Sequence, residues 1–279
     1  ISNNMTWESS DPPPQHHMSP VRWTVALFRG IPIGLIVTLG LLVTLLLRLI
    51  EYPLFGQTRP ITPYITQIVC RISLSLIGIE CHVNGRVVDK GGGVVANHCS
   101  WIDIFALNAF QRVYFVAKSE VASWPFIGYL AKATGTVFIE RNPNKAAKQR
   151  SLFISRVKAG HKLLFFPEGT STDCQQILPF KPTLFAAYFD SNLREKTILQ
   201  AVCLHYIAPK GQDARFYCWW GDMSFGAHLI TTLSVLRQGR IVITFCDPVA
   251  VTDFKDRKSL AAALQKSVSE AHEASMQDL

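Results

Sequence analysis

The sequence predicts an α/β fold in which a central mixed sheet is flanked by helices and preceded by an N-terminal membrane-inserted helical pair. From residue 80 onward, short β-type runs alternate with helical ones, which is typical of a sheet covered by helices. Nearer the N-terminus, 18 consecutive residues from Gly30 to Leu47 carry no charge. Charged residues make up 17% of the chain and hydrophobic residues 48%, whereas about 25% of an average soluble domain is charged. This composition indicates a membrane-associated protein.

The composition also excludes several classes of protein. An apolar content this high excludes a chain that is disordered throughout. The 17 glycines and 15 prolines follow no period, which excludes a collagen-like chain. The net charge is +8, but no zinc-finger, RNP or basic-heptad signature accompanies it, so we expect no nucleic-acid partner.

The seven cysteines are scattered along the chain and odd in number. Their spacing matches neither a dense disulfide scaffold nor a His/Cys zinc motif. We therefore expect reduced thiols in a cytosol-facing domain, and no metal site.

Three parts are expected along the chain: a flexible tail over residues 1–20, a membrane-associated helical hairpin over 21–79, and one α/β domain over 80–279. As a helix, Gly30–Leu47 is about 27 Å long, just short of a hydrocarbon core of about 30 Å. A membrane helix, spanning or half-inserted, is favoured over a cleaved signal peptide or a buried core helix. The apolar stretch Ile61–Ile79, interrupted by Gln67 and Arg71, predicts an amphipathic helix that pairs with the first.

Hydrophobic periodicity and turn signals give the order of elements after residue 80. Strands are expected at 80–88, 93–96, 114–117, 136–139, 162–166, 199–206, 215–219 and 240–245. Helices are expected at 101–110, 124–133, 145–159, 225–236 and 259–275.

One candidate for chemistry lies where the buried strand 93–96 meets the following helix. Asn97 and His98 leave the strand, Ser100 is a suitable helix cap, and Asp103 falls in the first turn, where the helix dipole favours a carboxylate. From there Asp103 can reach back to His98. A carboxylate on one imidazole nitrogen fixes the tautomer, which frees the other nitrogen to take a proton from a hydroxyl.

A second candidate follows the strand 162–166, which ends in Pro167-Glu168-Gly169-Thr170. Glycine allows the backbone to approach a ligand closely, while Glu168 and Thr170 supply polar contacts. Either element alone has an ordinary structural interpretation, as an isolated His–Asp pair or a strand-to-turn exit.

The two elements together resemble the glycerolipid acyltransferase family, typified by 1-acyl-sn-glycerol-3-phosphate acyltransferases. The matching positions are Asn97, His98 and Asp103 for the N-H-x-x-x-x-D (HX4D) motif, 138–141 for an apolar run ending in acid-Arg, 166–170 for F-P-E-G-T, and 199–206 for an apolar strand. The resemblance covers roughly residues 80–250, and a membrane-dipping helical pair also belongs to the family.

The chain departs from the family pattern at two positions. Ser171 stands where the family has an Arg that helps hold the acceptor's phosphate, and Ala201 stands where it usually has Pro. Lys118 and Arg141 remain as cations for the acceptor. The Glu-Gly-Thr-Ser-Thr-Asp run resembles the branch that acylates lyso-ornithine lipid and related aminolipids. The expected acceptor is a lysolipid of the 1-acyl-sn-glycerol-3-phosphate type, and the alternative is lyso-ornithine lipid or a related aminolipid.

The resemblance implies a direct acyl transfer. His98 acts as general base on a hydroxyl of the acceptor lysolipid, Asp103 orients it, and an acyl thioester of acyl-carrier protein or coenzyme A is the donor. Glu168, Gly169, Thr170 and Ser171 line the acceptor side. The family needs no metal or organic cofactor, and the implied place is the cytoplasmic face of a bacterial inner membrane.

Other interpretations remain at this point. Cys99 could form a covalent acyl-enzyme, Ser100 or Ser171 could be the nucleophile of a hydrolase, and the chain could be a non-catalytic lipid-binding protein. Seven cations between residues 141 and 162 form either a solvated helix face or a surface for anionic lipid headgroups or an acidic carrier protein. They are Arg141, Lys145, Lys148, Arg150, Arg156, Lys158 and Lys162.

Overall fold

The structure, a computed structural model, describes residues 7–14, 16–89, 92–140 and 142–277. Its first element is a long apolar helix. This helix, α1 (Pro20–Phe55), contains the charge-free segment and has 36 residues, so it is about 54 Å long. Its most apolar window has a mean hydropathy of 2.5 and is only 6% buried. Among the described residues, α1 is the one helix long and apolar enough to cross a membrane.

The second helix, α2 (Thr62–Ile77), packs against α1 to form the expected hairpin. Glu51, buried near the end of α1, binds the start of α2: its Oε1 accepts from the backbone N–H of Ile61 (2.7 Å) and of Thr62 (3.1 Å). The helices also approach closely, since a Cβ at Gly40 would lie 2.4 Å from Val69 Cγ2. The carboxylate therefore supplies the N-terminal cap that α2 lacks at its own first residue.

The α/β domain is built on an eight-stranded mixed sheet, as the sequence predicts. Its strands are β1 (Glu80–Gly85), β2 (Gly92–Ala96), β3 (Tyr114–Lys118), β4 (Val137–Ile139), β5 (Leu163–Phe165), β6 (Ile198–Ile207), β7 (Arg240–Phe245) and β8 (Val249–Ala250). The order is β1-β7-β6-β2-β5-β3-β4, with β8 beside β6. Among the strand pairs of the described residues, β6–β7 and β6–β8 are antiparallel and the others are parallel.

Helices cover both faces of this sheet. The remaining ones are α3 (Ile102–Phe110), α4 (Ile127–Thr134), α5 (Ala146–Lys158), α6 (Phe225–Leu233) and α7 (Arg257–Gln277). Along β2, Val94 and Ala96 belong to the core shared with α2 and α3, whereas Val95 belongs to the core shared with α7. Because β2 is buried on both faces, it reads in sequence as a continuous apolar run.

The expected strand at residues 215–219 is wrong. This segment forms turns, in which the Phe216 N–H donates to Asp213 O (3.0 Å) and the Cys218 N–H donates to Arg215 O (2.9 Å). Its apolar side chains are buried against α3 and the sheet. An apolar run in the sequence indicates that the segment is buried, but it does not distinguish a buried loop from a buried strand. The short β8 and a 3₁₀ segment, Pro182–Phe189, are further elements that hydrophobic periodicity does not reveal.

Candidate active site

The expected site residues follow strands that run in the same direction. β2, β5 and β3 are parallel neighbours, so their carboxyl ends meet at one edge of the sheet, where ligands of α/β proteins usually bind. His98 follows β2, Glu168 follows β5, and Lys118 ends β3. The topology therefore brings three elements of the sequence prediction to one edge.

His98 and Asp103 are in direct contact. His98 Nδ1 lies 2.7 Å from Asp103 Oδ2, and because a carboxylate only accepts, the proton of this bond resides on Nδ1. The His98 ring stacks on Phe166 with centroids 4.0 Å apart and planes 10° apart. The His98 side chain stays 20% exposed, whereas that of Asp103 is fully buried. The ring is thus held on two sides and open to solvent.

Asp103 is fixed by the backbone that precedes its helix. Its Oδ2 also accepts from the N–H groups of Cys99 (2.9 Å) and Ser100 (3.0 Å), while its Oδ1 accepts from the Tyr206 hydroxyl. Ser100 Oγ accepts from the backbone N–H at the first residue of α3, at 3.3 Å, as expected of a cap. Burial, with Asp103 beside it, raises the pKa of Tyr206, so its hydroxyl keeps the proton that it donates.

Asn97 fixes the chain just before the histidine. Its side-chain amide pairs with the backbone of Leu204 in β6, with Nδ2 donating to Leu204 O and Oδ1 accepting from Leu204 N–H, both at 2.8 Å. This amide replaces a strand partner at the point where β2 ends, so the direction in which His98 leaves the sheet is set by β6.

Glu168 joins the two motif segments. Its Oε1 accepts from the backbone N–H of His98 (2.8 Å) and its Oε2 from that of Leu178 (2.9 Å), and the residue is 1% exposed. Burial raises the pKa of Glu168 to about 8, an effect that the two N–H bonds offset only in part. These contacts give Glu168 a positioning role toward His98. Its assignment to the acceptor side stays a prediction.

The residues after Glu168 form the surface of the loop. Gly169 has φ +74, a backbone conformation that favours glycine, and a Cβ there would lie 2.7 Å from Lys181 Nζ, so the end of that lysine would have to move. Thr170 and Ser171 are half-buried. The Thr170 Oγ1 accepts from the backbone N–H of Trp7 at 3.3 Å. The described N-terminal segment therefore lies against this loop.

The expected cations are only partly placed. Lys118 is exposed at the carboxyl end of β3, on the same sheet edge as His98. Arg141 lies outside the described residues. Lys181, which sequence reasoning did not single out, lies over Gly169 within the candidate site.

Four cations of the basic run 141–162 make contacts within the part of the chain that the structure describes. Lys145 and Arg150 pair with acidic side chains at 2.7 and 2.9 Å. Arg156 and Lys162 donate to backbone carbonyls. Docking of a carrier protein or of lipid headgroups on this run stays a prediction.

Two rival nucleophiles lie in the interior. Cys99 is 1% exposed and Ser100 is fully buried. Burial raises the pKa of the Cys99 thiol well above its usual value, the opposite of what activates a nucleophilic cysteine. The imidazole of His98 is therefore the better placed group for chemistry on a substrate that arrives from outside.

Comparisons with known proteins identify relatives of this chain. A family model described as Acyltransferase matches residues 79–209. The lyso-ornithine lipid O-acyltransferase of Rhodobacter capsulatus is 50% identical over 262 residues, 94% of this chain and 95% of that protein. The 1-acyl-sn-glycerol-3-phosphate acyltransferase of Neisseria gonorrhoeae is 36% identical, over 69% of this chain and 73% of that protein.

A solved structure shares the fold. The crystal structure of the 1-acyl-sn-glycerophosphate acyltransferase PlsC from Thermotoga maritima matches with a TM-score of 0.62 at 16% identity, covering 91% of this chain and 96% of that one. Identity at this level supports the fold alone, whereas the relative from R. capsulatus matches nearly end to end. The chain belongs to the acyltransferase family, and it is an acyltransferase.

Proposed function

We propose that this chain moves a fatty acyl group from an acyl-carrier-protein or coenzyme A thioester to the free hydroxyl of a lysolipid, and that the lysolipid is lyso-ornithine lipid. The observation that carries the reaction is the bond of 2.7 Å between His98 Nδ1 and the buried Asp103 Oδ2, because it directs the second ring nitrogen toward the exposed side.

The reaction needs one base and one good leaving group. His98 Nε2 takes the proton of the acceptor hydroxyl, whose oxygen attacks the thioester carbonyl. The new ester C–O bond forms as the C–S bond breaks, and the proton on His98 passes to the departing thiolate. Asp103 stabilises the imidazolium between these steps. A thiolate leaves readily, so the residues described need supply no further acid.

The acceptor is inferred from three observations. Ser171 replaces the cation that the family places after Glu-Gly-Thr, which removes a phosphate contact. The relative that matches this chain at 50% identity over almost its full length is named for lyso-ornithine lipid. Lys181, above Gly169, is suited to the free carboxylate that an ornithine headgroup carries.

A membrane substrate also agrees with the exposed apolar surface. Large apolar side chains are exposed along α1 and α2, and three aromatic ones are exposed around the start of α4. These three are Trp124, Phe126 and Tyr129. The Trp124 ring contacts that of Trp219, with centroids 6.3 Å apart. The backbone N–H of Trp219 in turn donates to Cys99 O, next to His98. Exposed aromatics of this kind suit a membrane interface, and we place the domain on its cytoplasmic face.

Incubation of the purified full chain with acyl-carrier-protein thioester or acyl-CoA and a panel of lysolipids tests the proposal, with products identified by mass spectrometry. We expect ornithine lipid as the main product. Phosphatidate formed in preference would refute the acceptor assignment, and thioester hydrolysis without an acylated lipid would refute the transfer.

A single substitution tests the role of position 171. Ser171→Arg restores the cation of the family pattern, so we expect the ratio of phosphatidate to ornithine lipid to rise about tenfold, the equivalent of one charge-assisted hydrogen bond of about 1.4 kcal/mol. Ser191→Arg, in an exposed turn, is the matched control. An unchanged product ratio in Ser171→Arg would remove Ser171 from the argument.

A further inference from the structure

Three buried side chains of types that bind metals lie close together near the loop formed by residues 168–171. Cys174 follows the loop, His205 is in β6 and His272 is in α7, and one potential ligand atom of each lies within 4.8 Å of the others. Their exposed fractions are 4%, 7% and 3%. The reaction proposed above uses none of these side chains.

His205 has polar atoms that the described part of the chain does not satisfy. Both of its ring nitrogens are buried without a hydrogen-bond partner among those residues. Its ring meets that of His272 edge-on, with centroids 5.0 Å apart. Buried polar groups are nearly always paired, and an unpaired one costs about 1–3 kcal/mol. A lone pair of this imidazole therefore needs a partner that the described residues do not supply.

His272 and Cys174 are both fixed by contacts with the surrounding chain. The His272 Nε2–H donates to Cys174 O at 2.9 Å, so its Nδ1 keeps a lone pair. Cys174 has φ +63, a conformation that a residue with a side chain rarely adopts and that costs about 1–2 kcal/mol. The Cys174 N–H is bound by Thr172 Oγ1 at 3.3 Å. Strain of this kind persists where the surroundings fix it, and it clusters at functional sites.

Two further buried thiols lie beside Cys174. Cys99 and Cys218 are buried and contact the Cys174 sulfur through their thiols. Thiolate together with imidazole is the donor set of tetrahedral zinc sites. With Zn–S near 2.3 Å and Zn–N near 2.0–2.1 Å, tetrahedral donors lie about 3.4–3.6 Å apart. A contraction of about 1.4 Å at most brings the three ligand atoms, which lie within 4.8 Å of one another, to that spacing.

We propose that Cys174, His205 and His272 bind a zinc ion, with Cys99 or Cys218 available as the fourth ligand. The ion has a structural role, because it joins the loop after Thr170 to β6 and α7. The nearest two ligands are 31 residues apart in sequence, which is why spacing predicts no metal site. The proposal does not depend on which lipid is acylated.

Metal content of the full chain, purified from membranes in detergent after growth with zinc, tests the site. We expect elemental mass spectrometry to find one zinc per chain in the wild type. The zinc should be absent from Cys174→Ser and from His205→Gln. His228→Gln is the matched control, since His228 is a buried histidine that binds Trp101 Nε1 instead. Equal zinc in the wild type and both ligand variants would overturn the proposal.

A second measurement covers the case in which the ligand variants fail to fold. Wild-type protein grown with Co²⁺ in place of zinc should show sulfur-to-cobalt charge-transfer absorption in the near ultraviolet, together with the intense visible bands of tetrahedral cobalt. Added zinc should remove both. Wild-type protein that binds no zinc and gives no such absorption with cobalt would overturn the site without reference to any variant.

Discussion

Replacement of Asp103 by Asn separates the charge of the orienting residue from its shape. The buried Asp103 Oδ2 accepts from His98 Nδ1 and from two backbone N–H groups, whereas Oδ1 accepts from the Tyr206 hydroxyl alone. An asparagine therefore retains most contacts if its carbonyl oxygen takes the Oδ2 position. Its NH₂ group then faces the Tyr206 hydroxyl, which can rotate to accept. We expect Asp103→Asn to fold.

The loss of charge should nevertheless be costly in the reaction. Unit charges about 4 Å apart at an effective dielectric constant near 20 attract by about 4 kcal/mol, and this attraction arises only as His98 becomes an imidazolium. Each 1.36 kcal/mol corresponds to a factor of ten in rate, so kcat should fall about a thousandfold. The free energy of unfolding should fall by only about 1–3 kcal/mol.

Single-turnover acyl transfer, with thermal unfolding of the same preparation, measures both quantities. Asp253→Asn, at an exposed position outside the site, is the control. A folded Asp103→Asn protein whose chemical step stays within tenfold of the wild type would refute the electrostatic role of Asp103. A variant that unfolds with the loss of more than about 5 kcal/mol would instead show that Asp103 acts through the fold.

Two further substitutions test the positioning of the pair. Tyr206→Phe removes the donor to Asp103 Oδ1, so we expect the free energy of unfolding to fall by about 1.5–3 kcal/mol. We also expect kcat to fall while the KM for the lysolipid stays constant. A raised KM with an unchanged kcat would contradict this. In Glu168→Gln, one of the two backbone N–H groups loses its acceptor. The free energy of unfolding, measured by thermal unfolding, should therefore fall by about 1–3 kcal/mol. Because burial raises the pKa of Glu168 to about 8, and an unfolded Glu ionises near pH ~4.3, the native state binds this proton more tightly. Native stability should therefore fall as the pH rises between those values, and Glu168→Gln should flatten that slope; an unchanged slope would contradict the raised pKa.

The sequence predicts best what depends on neighbours in the chain. The contact between His98 and Asp103 follows from a strand that ends at residue 96 and a helix that starts six residues later. The parallel order of β2, β5 and β3 then brings the segment after β5 to the same edge. Local periodicity is sufficient for the first result, whereas the second is expected only from the resemblance to the acyltransferase family.

Long-range contacts are what the sequence does not reveal. Tyr206 reaches Asp103 from 103 residues away, and Lys181 reaches Gly169 across a loop with no regular periodicity. The burial of Glu168, with both oxygens bound by backbone N–H groups, also depends on how two loops meet. In each case the partner is chosen by tertiary packing, for which a single sequence carries no signal.

The transfer activity of His98→Ala tests the central claim most directly. Wild type, His98→Ala and the control His82→Ala, at an exposed position, are compared in membranes with an acyl-carrier-protein thioester and lyso-ornithine lipid. A base at His98 predicts at least a hundredfold lower rate of ornithine lipid formation in His98→Ala, with normal folding and membrane binding, and a normal rate in His82→Ala. Normal turnover by a folded His98→Ala protein would contradict the assignment of His98 as the base.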